Sequence, residues 1–245
     1  MAYRRVPFAP DEWYHLYSRG IDKRTIFHEE HDYQRFKKLL YLANSYEPIN
    51  LETMRRIPFE DIFSFPRSEP IVAIGVYCLM GNHPHIVLQE KVEGGISKFL
   101  HKLGTAYSMY YNKKYGRIGN LLVKPFRSQH ISNEPYLRRV AQYVHLNPAE
   151  IFEHSWKDGV VKDIAALEQK LMKYKHSSLP DYFGKDKRPE RAILDDGVYA
   201  LLKDRLPSLS SVLKDAAAYY AAINRSFEPG VRGRRKGWRK TKRVK

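Results

Sequence analysis

The stretch Ile71–Gln89 restricts the fold of this chain more than any other. Ile71 to Met80 is almost wholly apolar, Gly81-Asn82 has the composition of a two-residue turn, and His83 to Gln89 follows as a second extended run. Together they read as a β-hairpin. Trp13 to Arg19 alternates aromatic, aliphatic and polar residues before Gly20, which predicts a first strand ending in a turn. From Asp32 to Asn44 the residues Tyr33, Phe36, Leu39, Leu40 and Ala43 recur at helical spacing. A second amphipathic run, Ile96 to Tyr115, places Phe99, Leu103, Ala106, Tyr107 and Tyr110 on one face and stops at Gly116. Leu121 to Ile131 looks extended, and Asn133 can cap a helix striped by Leu137, Val140, Ala141 and Val144 that ends before Pro148.

The order strand, helix, hairpin, helix, strand, helix predicts an α+β fold. The economical form is a ferredoxin-like antiparallel sheet with helices packed on one face. A helical C-terminal extension is signalled by Val160–Tyr174 and Leu209–Ile223. The expected division is a core over residues 1–183, a helical extension over 184–229 and a basic tail over 230–245. Pro48, Pro58 and Pro66 make the segment at about 45–69 an irregular insertion in the core, with room for one short helix.

Charge narrows the range of partners. The chain has 43 Lys and Arg against 27 Asp and Glu, a formal charge of +16. The last sixteen residues carry nine of the basic groups, Arg234 and Arg235 among them, and no acid. Such a balance points to a polyanion, and a tail of that composition predicts a segment disordered when free that grips phosphate backbones without sequence preference. No 18-residue apolar run offers a membrane span, and Met1–Pro10 lacks the apolar stretch of a secretory signal, so a cytoplasmic chain without membrane association is expected. The single cysteine, Cys78, sits in an apolar run and reads as a small buried hydrophobe.

Two motifs carry chemistry. His83 and His85 flank Pro84 on the second hairpin strand, and alternation puts both imidazoles on one face. Tyr143 and Asn147 are four residues apart on the last predicted helix of the core, so a phenol and an amide oxygen share a face, while His145 points away from both. Two imidazoles and an amide oxygen leave positions open on a six-coordinate ion, which suits Mg²⁺ or Mn²⁺. With no third histidine, cysteine or carboxylate paired to the motif, zinc fits less well. A phenol is a weak nucleophile near neutral pH and gains from a neighbouring cation. Pro84 removes a ladder donor, so the strand must be an edge there or locally irregular. Arg19, Arg117, Lys124, Arg127 and Arg139 surround these motifs in sequence and, with Arg234 and Arg235, are the candidate phosphate contacts.

Three separated motifs, Tyr17-Ser18-Arg19-Gly20, Leu79-Met80-Gly81-Asn82-His83-Pro84-His85 and Tyr143-Val144-His145-Leu146-Asn147-Pro148, together resemble the single-tyrosine HUH transposases, specifically the REP-associated tyrosine transposase branch. Tyr174-Lys175-His176-Ser177-Ser178-Leu179 is a weaker echo of a Ser-Ser element that follows the catalytic helix in that family. The resemblance covers about Trp13 to Ala149. It implies a ferredoxin-like catalytic domain and a metal-dependent DNA transesterase, with a divalent ion on His83 and His85 and a 5′-phosphotyrosine on Tyr143. Asn147 takes the place of a third polar ligand. The implied substrate is single-stranded DNA with a hairpin, a repetitive extragenic element or transposon end, handled by a monomer or homodimer. The alternative is a domesticated, catalytically inactive protein that binds structured nucleic acid.

Overall fold

A computed structural model of the chain describes residues 7–226; the basic tail, with Arg234 and Arg235, lies outside the described residues. Strands β1 (Trp13–Tyr17), β2 (Val72–Met80), β3 (His83–Glu90) and β4 (Arg127–Ile131) form a four-stranded sheet in the order β2-β3-β1-β4, with every neighbouring pair antiparallel. Helix α1 (Glu30–Leu42) follows β1, α2 (Leu51–Arg56) lies in the 45–69 segment, and α3 (Gly95–Lys114) follows β3. That is the ferredoxin-like βαββαβ order read from the sequence. The extended run expected over Leu121–Ile131 is a strand only from Arg127, although Leu122 still bridges to Gly20.

Helices α1 and α3 pack on one another through Phe27, Phe36 and Tyr107, and cover one face of the sheet as expected. A fully buried carboxylate holds them in register. Asp32 of α1 accepts from Lys114 Nζ at 2.6 Å and from the hydroxyls of Tyr110 and Tyr115 at 2.9 and 2.7 Å, all from α3 or the residue after it. Helix α4 (Glu134–Leu146) departs from the expected single helical layer. It lies across the opposite face, where its Tyr143 ring meets the rings of His15 and His85. Asn133 caps it by accepting from the Tyr136 N–H at 2.9 Å, as the sequence predicts.

Both faces of β2 are therefore buried, which is why its nine residues read as a nearly continuous apolar run. Its outer edge is closed as well. Residues 176–178 run alongside it, with Leu79 N–H donating to the His176 carbonyl at 2.9 Å and Ser178 N–H to the Tyr77 carbonyl at 3.0 Å. Pro84 pairs with Leu79 of β2 but lies one residue beyond the last β1 rung, Tyr17 opposite His85. Beyond that rung β3 has no β1 partner, so a residue without an N–H gives up no β1 ladder bond there.

The remaining helices are α5 (Ala149–Phe152), α6 (Ile164–Met172), α7 (Leu179–Phe183), α8 (Asp196–Lys203) and α9 (Leu209–Ser226). Residue 183 does not divide the core. Ile193, Leu194, Val198 and Leu202 are buried in the same cluster as the sheet, and Met54, Ile62 and Phe63 of the 45–69 segment join it too. A second cluster gathers Leu146, Ala149, Trp156, Leu167 and Leu171 against Leu209, Val212 and Leu213 of α9.

Glu90, fully buried at the end of β3, fastens the hairpin to α3. Its two carboxylate oxygens accept the N–H groups of Gly94 and Ile96, each at 2.8 Å, so they satisfy orphan donors of the first turn of α3. Glu90→Ala is expected to lower the unfolding free energy by about 2–3 kcal/mol, since two buried donors lose a charged acceptor. Urea unfolding of the variant beside the wild type measures the change, and a loss below about 0.5 kcal/mol would show that water replaces the carboxylate.

Candidate active site

Alternation along two adjacent central strands puts His15 and Tyr17 of β1 on the same face as His83 and His85 of β3. Tyr17 stands directly opposite His85, and His15 sits on the diagonal. The His15 and His85 rings stack with centroids 5.1 Å apart, and His15 Nε2 lies 2.9 Å from His85 Nδ1. The His83 ring is edge-on to His85 at 4.7 Å, with its Nδ1 2.5 Å from Asn82 Oδ1. On α4, the Tyr143 ring stands 5.9 Å from His15 and 6.0 Å from His85, nearly perpendicular to both.

Asn147 follows one turn later, buried, with its Nδ2 donating to the Tyr143 carbonyl at 2.9 Å. Its amide nitrogen closes the helix end, and its amide oxygen is the atom with ligand chemistry. His145 turns the other way, into the core, where its Nε2 is 2.9 Å from Ser178 Oγ.

His15, Tyr17, His83, His85, Tyr143 and Asn147 line one cleft of about 1180 Å³. Arg19, Arg127 and Arg139 line it as well, joined by Lys23 and Lys157, against three carboxylates, Asp22, Glu150 and Asp215. Arg117 is placed elsewhere: it hydrogen-bonds Asn112 Oδ1 at 3.1 Å and sits over the Tyr111 ring. Lys124 is the neighbour of two lining residues, Val123 and Pro125, without itself lining the cleft.

Burial sets the protonation of the imidazoles. It pushes His15 and His83 down to about 4, and His85 down to about 2 with further repulsion from His15 and His83. All three are neutral near pH 7. His85 Nε2 is buried and has no hydrogen-bond partner. A proton on His85 Nδ1 can be donated to His15 Nε2, leaving Nε2 as a bare lone pair. The other tautomer would strand a buried N–H, which costs more. An orphaned imidazole nitrogen beside a second imidazole, in a cleft that the Asn147 amide also lines, is a donor set that fits a divalent ion with open positions. Among the described residues no three His, Cys, Asp or Glu side chains converge as a closed metal cage. The Tyr143 phenol is raised above its ordinary value by burial in the cleft, while the nearby charge of Lys157 pulls it down.

Three elements of this site had no motif to announce them. His15 is legible only through alternation in Trp-Tyr-His-Leu-Tyr, which places it with Tyr17. Lys157 lies in a short turn, and the cleft-lining residues of α9 recur at 212, 215, 216, 219 and 220, a helical face that the sequence displays without saying what it meets.

No family model matches the chain, and no curated protein does. Among solved structures, the REP-associated tyrosine transposase bound to a REP hairpin is similar, with a TM-score of 0.45 and 14% identity over 76% of this chain and 87% of that one. Among the described residues no helix is long and apolar enough to cross a membrane.

The buried imidazoles make stability depend on pH. His145 is pushed down to about 3 and His176 to about 4 by the same cause that acts on the cleft histidines. Unfolded, each ring takes up a proton near pH 6.5, so below that pH the unfolded chain binds more protons than the folded one. Stability then falls with falling pH, by about 1.4 kcal/mol per unit for each such histidine, until the folded pKa is reached. Urea unfolding between about pH 7 and 5 reads this slope, and His145→Gln removes one proton from it. A flat profile would contradict the buried, neutral imidazoles.

Proposed function

We propose that this chain is a single-tyrosine DNA strand transferase acting on single-stranded DNA that bears a hairpin. The observation that carries the reading is the meeting of Tyr143 with the His83–His85 pair in one cation-rich cleft. A phenol alone, or a histidine pair alone, has ordinary structural explanations. A phenol ring 6.0 Å from an imidazole with an orphaned nitrogen, bordered by arginines, has the parts of a phosphodiester transesterase.

In this mechanism Arg19, Arg127 and Arg139 take the phosphates on either side of the scissile bond and fix the strand across the sheet. The Tyr143 oxygen attacks phosphorus as its proton passes to solvent. The bond from phosphorus to the 3′ oxygen breaks, the electron pair leaves with that oxygen, and the oxygen takes up a proton. The products are a 5′-phosphotyrosine and a free 3′-hydroxyl. The phosphodiester's energy is kept in the adduct, so a second 3′-hydroxyl can reverse the step without a nucleotide cofactor. A Mg²⁺ or Mn²⁺ ion bound by His83, His85 and the Asn147 oxygen would supply stabilisation of the charge that builds on the phosphoryl oxygens. His15 keeps the His85 ring in the tautomer whose Nε2 lone pair faces the cleft.

A 3′-labelled hairpin oligonucleotide incubated with the chain and Mn²⁺, then run on a denaturing gel, tests the reading. Wild type is expected to give a protein-linked fragment, Tyr143→Phe none, and His83→Ala or His85→Ala a loss of at least about 100-fold, the usual effect of removing a ligand or transition-state contact. Equal cleavage by wild type and Tyr143→Phe would remove the tyrosine from the mechanism. Retained binding with no product from any form would leave a structured-nucleic-acid-binding protein.

A further inference from the structure

The cleft has a third wall that none of the motifs explains. One wall is the sheet face with the histidines and another is α4. The third is built from residues far beyond Tyr143 in sequence: the turn at Trp156–Asp158 and the face of α9 formed by Val212, Asp215, Ala216, Tyr219 and Tyr220. Trp156 is buried and packs its ring against Tyr220, with centroids 5.7 Å apart. Gly159, at φ 75°, lets the helix come close, since a Cβ there would lie 2.3 Å from the Ala221 nitrogen. The wall is thus locked to the body by a buried indole and by backbone-to-helix contact.

Two side chains on this wall bring ligand chemistry to the cleft, Tyr219 and Lys157. Tyr219 is 64% exposed although Trp156 next to its neighbour Tyr220 is buried, and its ring stands 5.9 Å from that of Tyr220. Lys157 lines the same cleft as Tyr143, His83 and His85, and is paired there with Glu150, which lines it too. An exposed aromatic face beside a cation, inside a cleft where five basic side chains outnumber three carboxylates, is complementary to one ligand class. A single nucleic-acid strand offers unpaired bases with π-faces and a phosphate at each step.

We propose that α9 and the Trp156–Asp158 turn form a nucleotide subsite flanking the scissile phosphate, in which Tyr219 stacks an unpaired base and Lys157 exchanges Glu150 for the adjoining phosphate. The inference rests on the strand-transferase reading of the same cleft and adds to it the element that grips the single-stranded arm. The helical extension is then part of the binding machinery. Glu150 keeps Lys157 in place while no phosphate is bound.

The test is fluorescence anisotropy of a labelled oligodeoxythymidylate with the full-length chain across a sodium chloride series, without divalent ions so that no strand is cut. Tyr219→Ala is expected to weaken binding by about tenfold or more with an unchanged salt slope, and Tyr219→Phe to restore it, because a π-face is what stacking needs. Lys157→Met is expected to lower the salt slope by about 0.7, the share of one phosphate contact on a single strand. The exposure of Tyr219 makes its variants safe for folding, and urea unfolding checks that.

Wild-type affinity in Tyr219→Ala, or an unchanged salt slope in Lys157→Met, overturns the subsite even when wild type forms the phosphotyrosine adduct. Weakened binding by both variants of a chain that never forms an adduct sustains the subsite and removes the transferase chemistry. A wild-type chain that does not bind the oligodeoxythymidylate overturns the subsite, while adduct formation on the hairpin oligonucleotide decides the strand-transferase reading by itself.

Discussion

Two neutral imidazoles in contact inside the sheet, His15 and His85, are the constraint on which the rest of the site depends. Burying a histidine is tolerable when its ring is neutral and its nitrogens are used. His15 uses one nitrogen of His85, at 2.9 Å, and the cost left over sits on the other, Nε2, which is buried without a partner. His85 lines the cleft, and leaving that nitrogen without a partner costs the fold free energy. The register that brings these rings together follows from β1 and β3 being adjacent in the middle of the sheet, which the ferredoxin-like order requires.

The α4 helix is oriented by the same economy. His145 and Tyr143 lie two residues apart and so point in widely different directions from the helix. His145 is drawn into the core by Ser178 Oγ, which also accepts the Tyr77 N–H at 3.0 Å. That hydroxyl joins α4 to β2 and to the segment that closes the β2 edge. With His145 fixed inside, Tyr143 has no choice but the cleft, and Asn147, one turn later on the same side, closes the helix end beneath it. Ser178 therefore acts at a distance from the cleft: through His145 it sets the rotation of the helix that carries the Tyr143 phenol.

Charge in this chain is distributed with a purpose that net charge alone does not reveal. Arg19, Arg127 and Arg139 stand on the cleft, while Arg117 is used by Asn112 and the Tyr111 ring. Lys37 and Glu190 form a buried pair at 2.9 Å, and Arg188 with Asp181 forms another, on the side of β2 where residues 174–190 fold back. These buried pairs tie that return segment down. Their value is in fixing one arrangement, because desolvation consumes much of their Coulomb attraction.

Periodicity determined most of the fold from the sequence by itself. The hairpin, the strand Trp13–Tyr17, the helices around Phe36, Leu103 and Val140 and their order all rest on hydrophobic spacing, a local property that survives without knowledge of neighbours. The same alternation made His83 and His85 a pair, and helical spacing made Tyr143 and Asn147 another. What local pattern could not reach is which faces meet. That α4 crosses the sheet opposite α1 and α3, that His15 holds His85, and that α9 returns to wall the cleft with Tyr219 are decided by contacts between residues far apart in sequence. The division expected at residue 183 missed for that reason, since Val198 and Leu202 find their burial against the sheet. The sequence determined the elements and the chemical groups they carry; only the tertiary structure decided their company, because packing free energy depends on surfaces that the chain brings together after its local structure is set.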